Sequence, residues 1–287
     1  MTAAEQQREN AHTHISSQHR LLDLKLDEVW AYRDLIWLYA RRSLVATYKQ
    51  TILGPLWLIV NPLLTSVVYM FIFGNIAGLS TEGVPQILFY LMGNAGWALF
   101  ATVITQSADT FVANANLFGK VYFPRLTIPA SNILVALFQF LVQFILGVCI
   151  GVYYMATTDF SFTFQHWIFI PFILLLEALL ALGFGIIASS LTTRYRDLRV
   201  LVGFGVRLWM FITPVVYPMS QFGTGVLNTA LQLNPMTAPM ELLRWCLWGT
   251  AQVGVESILY SCAVAAIVLF CGIVLFNKVE RTFMDTV

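Results

Sequence analysis

Beyond Lys49, Asp, Glu, Lys and Arg become so sparse that long stretches carry no charge, and this spacing constrains the fold more than any motif does. A helix needs roughly 20 apolar residues to cross the hydrocarbon core of a bilayer. The gap from Lys49 to Glu82 holds one such helix, about Leu53–Phe73, and the gap from Glu82 to Asp109 a second, about Gln86–Ala108. Arg125 to Asp159 holds a third, about Ile128–Met155, and Asp159 to Arg194 a fourth, about Trp167–Leu191, interrupted only by Glu177. A fifth is expected at about Leu198–Tyr217, with Arg207 inside it, and a sixth at about Ser257–Phe276. Only 11% of the 287 residues are charged and 58% are hydrophobic, whereas a soluble domain is about 25% charged. Such a chain cannot cover a water-facing surface. A net charge of +1 excludes a basic nucleic-acid binder. Continuous apolar runs exclude an outer-membrane barrel, whose strands alternate in polarity. The expected class is all-α, a polytopic membrane protein with six transmembrane helices.

Six crossings put both termini on one side. On that side lie Arg8, Arg20, Lys25, Arg33, Arg41, Arg42, Lys49, Lys120, Arg125, Arg194, Arg196, Arg199, Lys278 and Arg281, out of 16 basic residues in all. Arg207 is within a span, and Arg244 alone falls in an opposite-side segment. Lys and Arg concentrate in cytoplasmic loops, so both termini are expected in the cytoplasm. Residues 1–50 are polar without a long apolar core, which excludes a signal peptide. Within them, residues 1–20 read as a polar extension and 21–50 as a cytoplasmic interface helix ahead of a transmembrane domain over 51–287. Drawn as one helix, Leu22–Leu44 sorts Leu22, Leu26, Val29, Trp30, Ile36, Trp37 and Leu44 onto one arc, and Asp23, Asp27, Asp34 and Arg41 onto the other. That pattern suits a helix lying flat in the headgroup region or against a soluble partner. Between the fifth and sixth helices, about Pro218–Val253 is apolar but broken by Pro218, Pro235 and Pro239. Two short re-entrant or interfacial helices are expected there, near Gly225–Leu233 and Met240–Trp248, forming an external rim or gate.

The chain carries no H-E-x-x-H, G-x-S-x-G or S-x-x-K. Around Gly119-Lys120 a phosphate loop would need glycine at 114 and Ser or Thr at 121; the residues are Asn114 and Val121. Any nucleotide-driven work therefore needs a partner. Cys149, Cys246, Cys262 and Cys271 are widely spaced and read as packing residues. His12, His14, His19 and His166 have no acid at ligand spacing, so no metal or cofactor is expected in this chain.

Polar residues inside the spans form stripes. Asn94, Thr102, Thr105, Gln106 and Asp109 fall within about 120° on the second helix, and Asn132, Gln139 and Gln143 within about 40° on the third. Both stripes must face protein or water, either as interhelical hydrogen bonds or as a wet interface. Glu177 and Arg207 are the two intramembrane charges, at depths of about 21 Å and about 13 Å. A salt bridge would need long side chains to close that difference, and two isolated charges make a poor proton relay. Aromatics are 14% of the chain. Trp57, Tyr69, Phe71, Phe73, Trp97, Phe100, Tyr153, Tyr154 and Trp167 read as belt and packing residues, or as stacking platforms for sugar rings.

An ordered set of strings then points further. Tyr48-Lys49-Gln50-Thr51-Ile52-Leu53-Gly54-Pro55-Leu56-Trp57 is followed by Lys120-Val121-Tyr122-Phe123-Pro124-Arg125 and by Arg194-Tyr195-Arg196-Asp197-Leu198. Thr213-Pro214-Val215-Val216-Tyr217-Pro218 and Leu233-Asn234-Pro235-Met236-Thr237, with Arg244 beyond, complete it. In this order they resemble the ABC-2 type polysaccharide and polyol-phosphate export permeases over most of the chain after residue 40. The resemblance implies a homodimer bound to two copies of a separate ATPase, which holds the ATP and Mg. It implies export of a lipid-linked glycan, such as O-antigen, across the bacterial inner membrane. Docking and coupling are then expected at Trp30, Trp37, Asn116, Lys120, Tyr122, Pro124 and Arg125. Arg33, Arg41, Arg42 and Lys49 are placed for head-group entry, since the guanidinium fork suits phosphate; anchoring to anionic lipid is the competing role. Channel lining is expected from Tyr69, Asn94, Trp97, Thr102, Thr105, Asp109 and Arg207, and an external gate from Pro218, Asn234, Pro235 and Arg244. The competing functions are a permease for a teichoic-acid-type polymer or for a small hydrophobic drug or lipid. A membrane-embedded glycan-processing enzyme would need paired carboxylates, and the spans offer only isolated ones.

Overall fold

The computed structural model describes residues 26–284 except 119, 122, 196, 224 and 251–253. The polar extension 1–20 and Tyr122 lie outside the described residues. Every regular element among the described residues is helical. Helices α1 (Leu26–Ala31) and α2 (Arg33–Tyr48) come first, with a break at Tyr32 (φ −94°, ψ 22°). The flat helix expected over Leu22–Leu44 is thus bent within its described part. Its inner side is Leu35, Tyr39 and Ala40, with Tyr39 5.9 Å from the Phe123 ring. Trp30 and Trp37 point away from the protein, 71% and 65% exposed.

Gly54–Ile76 is continuous helix: a 3-10 turn (Gly54–Leu56), α3 (Trp57–Tyr69) and a π turn (Met70–Ile76). Next come α4 (Gln86–Ala108), α5 (Thr110–Phe118) and α6 (Thr127–Thr157). The 3-10 turn Phe164–Phe169 leads into α7 (Ile170–Thr192), and α8 (Leu198–Ile212) follows. The short helices α9 (Val226–Gln232) and α10 (Thr237–Trp248) precede α11 (Val255–Met284).

Helix α4 is the axis. It is largely apolar and mostly buried, as a helix enclosed by others is, and it packs against α3, α6, α7, α8 and α10. Against α7 lies α11, where two glycines let the backbones approach: a Cβ on Gly183 would sit 2.8 Å from the Leu269 nitrogen, and one on Gly272 2.9 Å from the Gly183 carbonyl. Small residues are the usual device for close helix contact inside a bilayer, where apolar burial drives nothing.

Among the described residues five helices are long and apolar enough to cross a membrane: Gly54–Ile76, Gln86–Ala108, Thr127–Thr157, Phe164–Thr192 and Val255–Val279. They match the first, second, third, fourth and sixth expected spans. The fifth differs. Helix α8 stops at Ile212 after 15 residues, about 22 Å, short of the roughly 30 Å hydrocarbon core. Thr213 is extended (φ −101°, ψ 142°), as a residue before proline prefers. The chain nevertheless runs the length of α4 in the opposite direction. Arg199 binds Asp109 at one end, the Val215 carbonyl abuts Gly93 further along, and Ser220 donates to Glu82 beyond the start of α4. The last third of this passage is irregular backbone, tolerated at depth only when enclosed, and Val215 and Val216 are fully buried.

Both short helices expected between α8 and α11 are present as α9 and α10. Gly249, left-handed at φ 75°, closes α10. They cap the Gln86 end of the bundle. Thr163 N donates to the Leu247 carbonyl at 2.8 Å, Tyr260 Oη to Leu233 at 2.8 Å and Ser261 Oγ to Pro235 at 2.8 Å.

Candidate functional site

Where α3, α4 and α8 meet, a cavity of about 570 Å³ opens. Helix α3 contributes Tyr69; α4 contributes Trp97, Ala101, Thr102 and Thr105; α8 contributes Gly203, Val206, Arg207, Met210 and Phe211. Helical periodicity explains the grouping. Trp97, Ala101 and Thr105 recur every fourth residue on α4, as Gly203, Arg207 and Phe211 do on α8, so each set shares a face. The wall is stiffened from behind by rings: Trp97 lies 5.3 Å from Phe100, and Phe100 5.2 Å from Trp209. Tyr69 Oη rests 3.5 Å from Met210 Sδ, joining α3 to α8. The mouth thus combines aromatic faces, two threonines and one cation.

Of the expected channel residues, Tyr69, Trp97, Thr102, Thr105 and Arg207 meet at this cavity. Asn94 and Asp109 do not line it. Asp109 instead caps α4 and pairs with Arg199 at 2.9 Å. Burial pushes its carboxyl up from the ordinary value, and the Arg199 charge opposes that. The α8 wall was legible only through Arg207; the same face arithmetic applied to Leu198–Ile212 would have added Gly203 and Phe211. Glu177 and Arg207 do not pair. Glu177 is fully buried against Gly96, and neither of its oxygens has a hydrogen-bond partner among the described residues. The α6 stripe faces protein: Asn132 Nδ2 donates to Ser107 Oγ at 3.4 Å, and Gln139 Nε2 to Tyr48 Oη at 3.5 Å.

The segment after α8 is held by two side chains. Asn234 Nδ2 donates to the Ile212 carbonyl (3.2 Å) and to Thr213 Oγ1 (2.8 Å), while its Oδ1 accepts from Trp209 Nε1 (3.0 Å) and Met236 N (3.1 Å). Arg244 donates to Glu241 Oε1 (2.6 Å) and to the carbonyls of Tyr217 (3.0 Å) and Val215 (2.9 Å). Its guanidinium lies 4.3 Å from the Phe89 ring centre. The two sequence strings around Thr213 and Asn234 therefore touch in space. Pro218 is buried beside this latch, and the Pro235 carbonyl accepts from Ser261.

At the Ala108 end, Asn116 and Lys120 are exposed whereas Pro124 and Arg125 are buried. The Arg125 guanidinium lies 5.6 Å from the Phe111 ring and 5.1 Å from that of Phe118, so this residue holds the segment together from inside. The Phe111 ring lies 4.7 Å from that of Phe276 of α11, tilted by 36°. Arg33, Arg41, Arg42 and Lys49 are all exposed along and just beyond α2. Among the described residues no group of three or more His, Cys, Asp or Glu side chains converges as a metal site would require.

Residues 34–248 match the family described as ABC-2 type transporter. The chain is 30% identical over 256 residues to an O-antigen export system permease protein RfbA of Klebsiella pneumoniae, covering 88% of this chain and 94% of that protein. It is 26% identical over 262 residues to the protein of the same name from Myxococcus xanthus, covering 91% and 98% respectively.

Proposed function

This chain belongs to the ABC-2 type transporter family, and we propose that it is the membrane-spanning subunit of an exporter carrying a lipid-linked polysaccharide of the O-antigen kind across the bacterial inner membrane. The observation that carries this reading is the cavity between α3, α4 and α8. Trp97 and Tyr69 offer faces on which pyranose rings stack, and Thr102 and Thr105 offer hydroxyls to sugar hydroxyls. The names of the relatives point the same way. On the α8 side of the cavity large apolar side chains such as Phe204, Leu208 and Phe211 are exposed, as is Phe71 in the π turn beyond α3. A second copy related by a twofold axis covers that side and turns two facing cavities into one conduit.

The polypeptide crosses six times, the fifth by α8 and the irregular segment beyond it, with the extension 1–20, the interface helix 21–50 and both termini in the cytoplasm. Energy comes from two copies of a separate ATPase, which binds ATP and Mg, since the chain has no phosphate loop. That partner docks beneath α1 and α2 and on residues 110–125, against Trp30, Trp37, Asn116, Lys120 and Tyr122. Its push passes through the Phe111–Phe276 contact, kept in place by Pro124 and Arg125, into α11. Arg33, Arg41, Arg42 and Lys49 gather the phosphates of the carrier lipid. Pro218, Asn234, Pro235 and Arg244 form the external gate.

Deletion of the gene tests the reading. The expected result is loss of surface polysaccharide with polymer retained inside the cell, restored by the intact gene but not by Trp97→Ala. The ATPase should co-purify with the chain, and the chain alone should hydrolyse no nucleotide. An unaltered coat in the deletion strain refutes the proposal.

A further inference from the structure

We infer that Arg207 makes the α3–α4–α8 cavity selective for an oxyanion carried beside a sugar ring, a phosphate or a carboxylate, so that the exported glycan or its carrier is read there by charge. The inference rests on the export reading and names the chemistry of its substrate. A cation on a membrane-crossing segment is costly unless it faces water or a partner. Arg207 lines the cavity, and among the described residues it has no hydrogen bond or ion pair. Both acids at comparable positions are accounted for elsewhere. Asp109 is engaged by Arg199 at 2.9 Å, and Glu177 is enclosed against Gly96 and does not line the cavity.

The guanidinium therefore brings its full set of donors to a space with no acid in its lining. Gly203, one turn earlier on the same face, leaves the approach open: beyond its chain neighbours and the helix's own backbone, no atom lies within 4 Å of where its Cβ would stand. Thr102 and Thr105 add hydroxyls, and Trp97 adds an aromatic face. A guanidinium and hydroxyls beside an aromatic plane fit an anionic sugar better than a neutral one, because a charge-assisted hydrogen bond is the stronger kind. The volume suits a ligand of a few rings, within the usual range of about 300–1,000 Å³ for small-molecule sites.

The test uses the full chain with its ATPase in nanodiscs of phosphatidylcholine. Three probes are titrated: inorganic pyrophosphate, a hyaluronan tetrasaccharide, which carries glucuronate, and neutral chitotetraose. Wild type should bind at least one anionic probe about tenfold or more tightly than chitotetraose. Arg207→Gln should remove that preference, and Arg207→Lys should keep part of it. Unfolding midpoints matched to wild type exclude a folding defect. A preference for pyrophosphate points to the carrier headgroup as the source of the anion; a preference for the tetrasaccharide points to the polymer. Equal binding of charged and neutral probes by wild type, or an undiminished preference in Arg207→Gln, overturns the inference. In cells, a coat that survives whole-gene deletion sinks the export reading instead, so the two failures are separable.

Discussion

Arg244→Met should unlatch the irregular segment after α8. In the native chain Arg244 is 2% exposed and its partner Glu241 3%. Its guanidinium bonds Glu241 Oε1 at 2.6 Å and the carbonyls of Val215 and Tyr217 at 2.9 Å and 3.0 Å. Removing one member of a buried ion pair costs about 3–5 kcal/mol, much of it the charge left behind without a partner. The two carbonyls lose their donor as well, at about 1–3 kcal/mol each where no water replaces it. Methionine recovers part of the contact with Phe89, so the expected net loss is about 5 kcal/mol or more. Adding Glu241→Leu removes the stranded charge and should return a good part of that loss, but not the part owed to the bare carbonyls. The measurement is denaturant unfolding of the purified chain in detergent, followed by tryptophan fluorescence, for both single variants and the double variant, since only the cycle isolates the pair. A native midpoint for Arg244→Met, or a double variant no more stable than Arg244→Met, refutes the latch.

Gly93→Ala should strain the same segment from the other side, because its Cβ would stand 2.5 Å from the Val215 carbonyl oxygen; a loss of about 1–3 kcal/mol is expected, non-additive with Arg244→Met in the same unfolding assay. Gly183→Ala should separate α7 from α11, where its Cβ would stand 2.8 Å from the Leu269 nitrogen, and crosslinking between cysteines placed along the two helices should fall. Trp37→Ala, at a side chain 65% exposed, should leave the unfolding midpoint within about 0.5 kcal/mol while lowering ATPase co-purification several-fold; full recovery of the ATPase removes Trp37 from the docking surface.

The second span was legible to the residue because Glu82 and Asp109 bracket it and nothing between them is charged; α4 runs Gln86–Ala108 as expected. The end of the fifth span was not, although its signal was present. Apolarity continues to Tyr217, but Thr213 precedes a proline and leaves the helical region, and hydropathy does not register backbone dihedrals. Helix α2 shows a second kind of limit. A single apolar arc presumes one apolar environment, yet α2 has two: Leu35, Tyr39 and Ala40 meet the bundle while Trp37 and Leu38 face outward. Arg125 shows a third. Counting cations places it in a cytoplasmic loop and the family resemblance places it on a docking surface, but it is buried with its guanidinium near the Phe111 and Phe118 rings, contacts between residues whose spacing in sequence carries no such hint.

Glu177 and Arg207 show why composition alone cannot rank intramembrane charges. Both interrupt apolar runs, and both carry the same expectation that a charge at such a cost has a task. Packing separates them. Glu177 is on the helix that touches α4 and α11 most intimately, and the side chains around it, Met240 and Leu243 near Gly96, close over it completely. Arg207 is on a helix with a gap one turn earlier on the same face, at Gly203, where nothing beyond its chain neighbours and the helix's own backbone lies within 4 Å of the missing Cβ. A crowded wall hides one charged group from any solute, and a wall thinned by glycine offers the other to whatever enters. Gly203 therefore keeps the approach to the cation open, and filling position 203 with a bulky side chain acts on the same site as removing the charge.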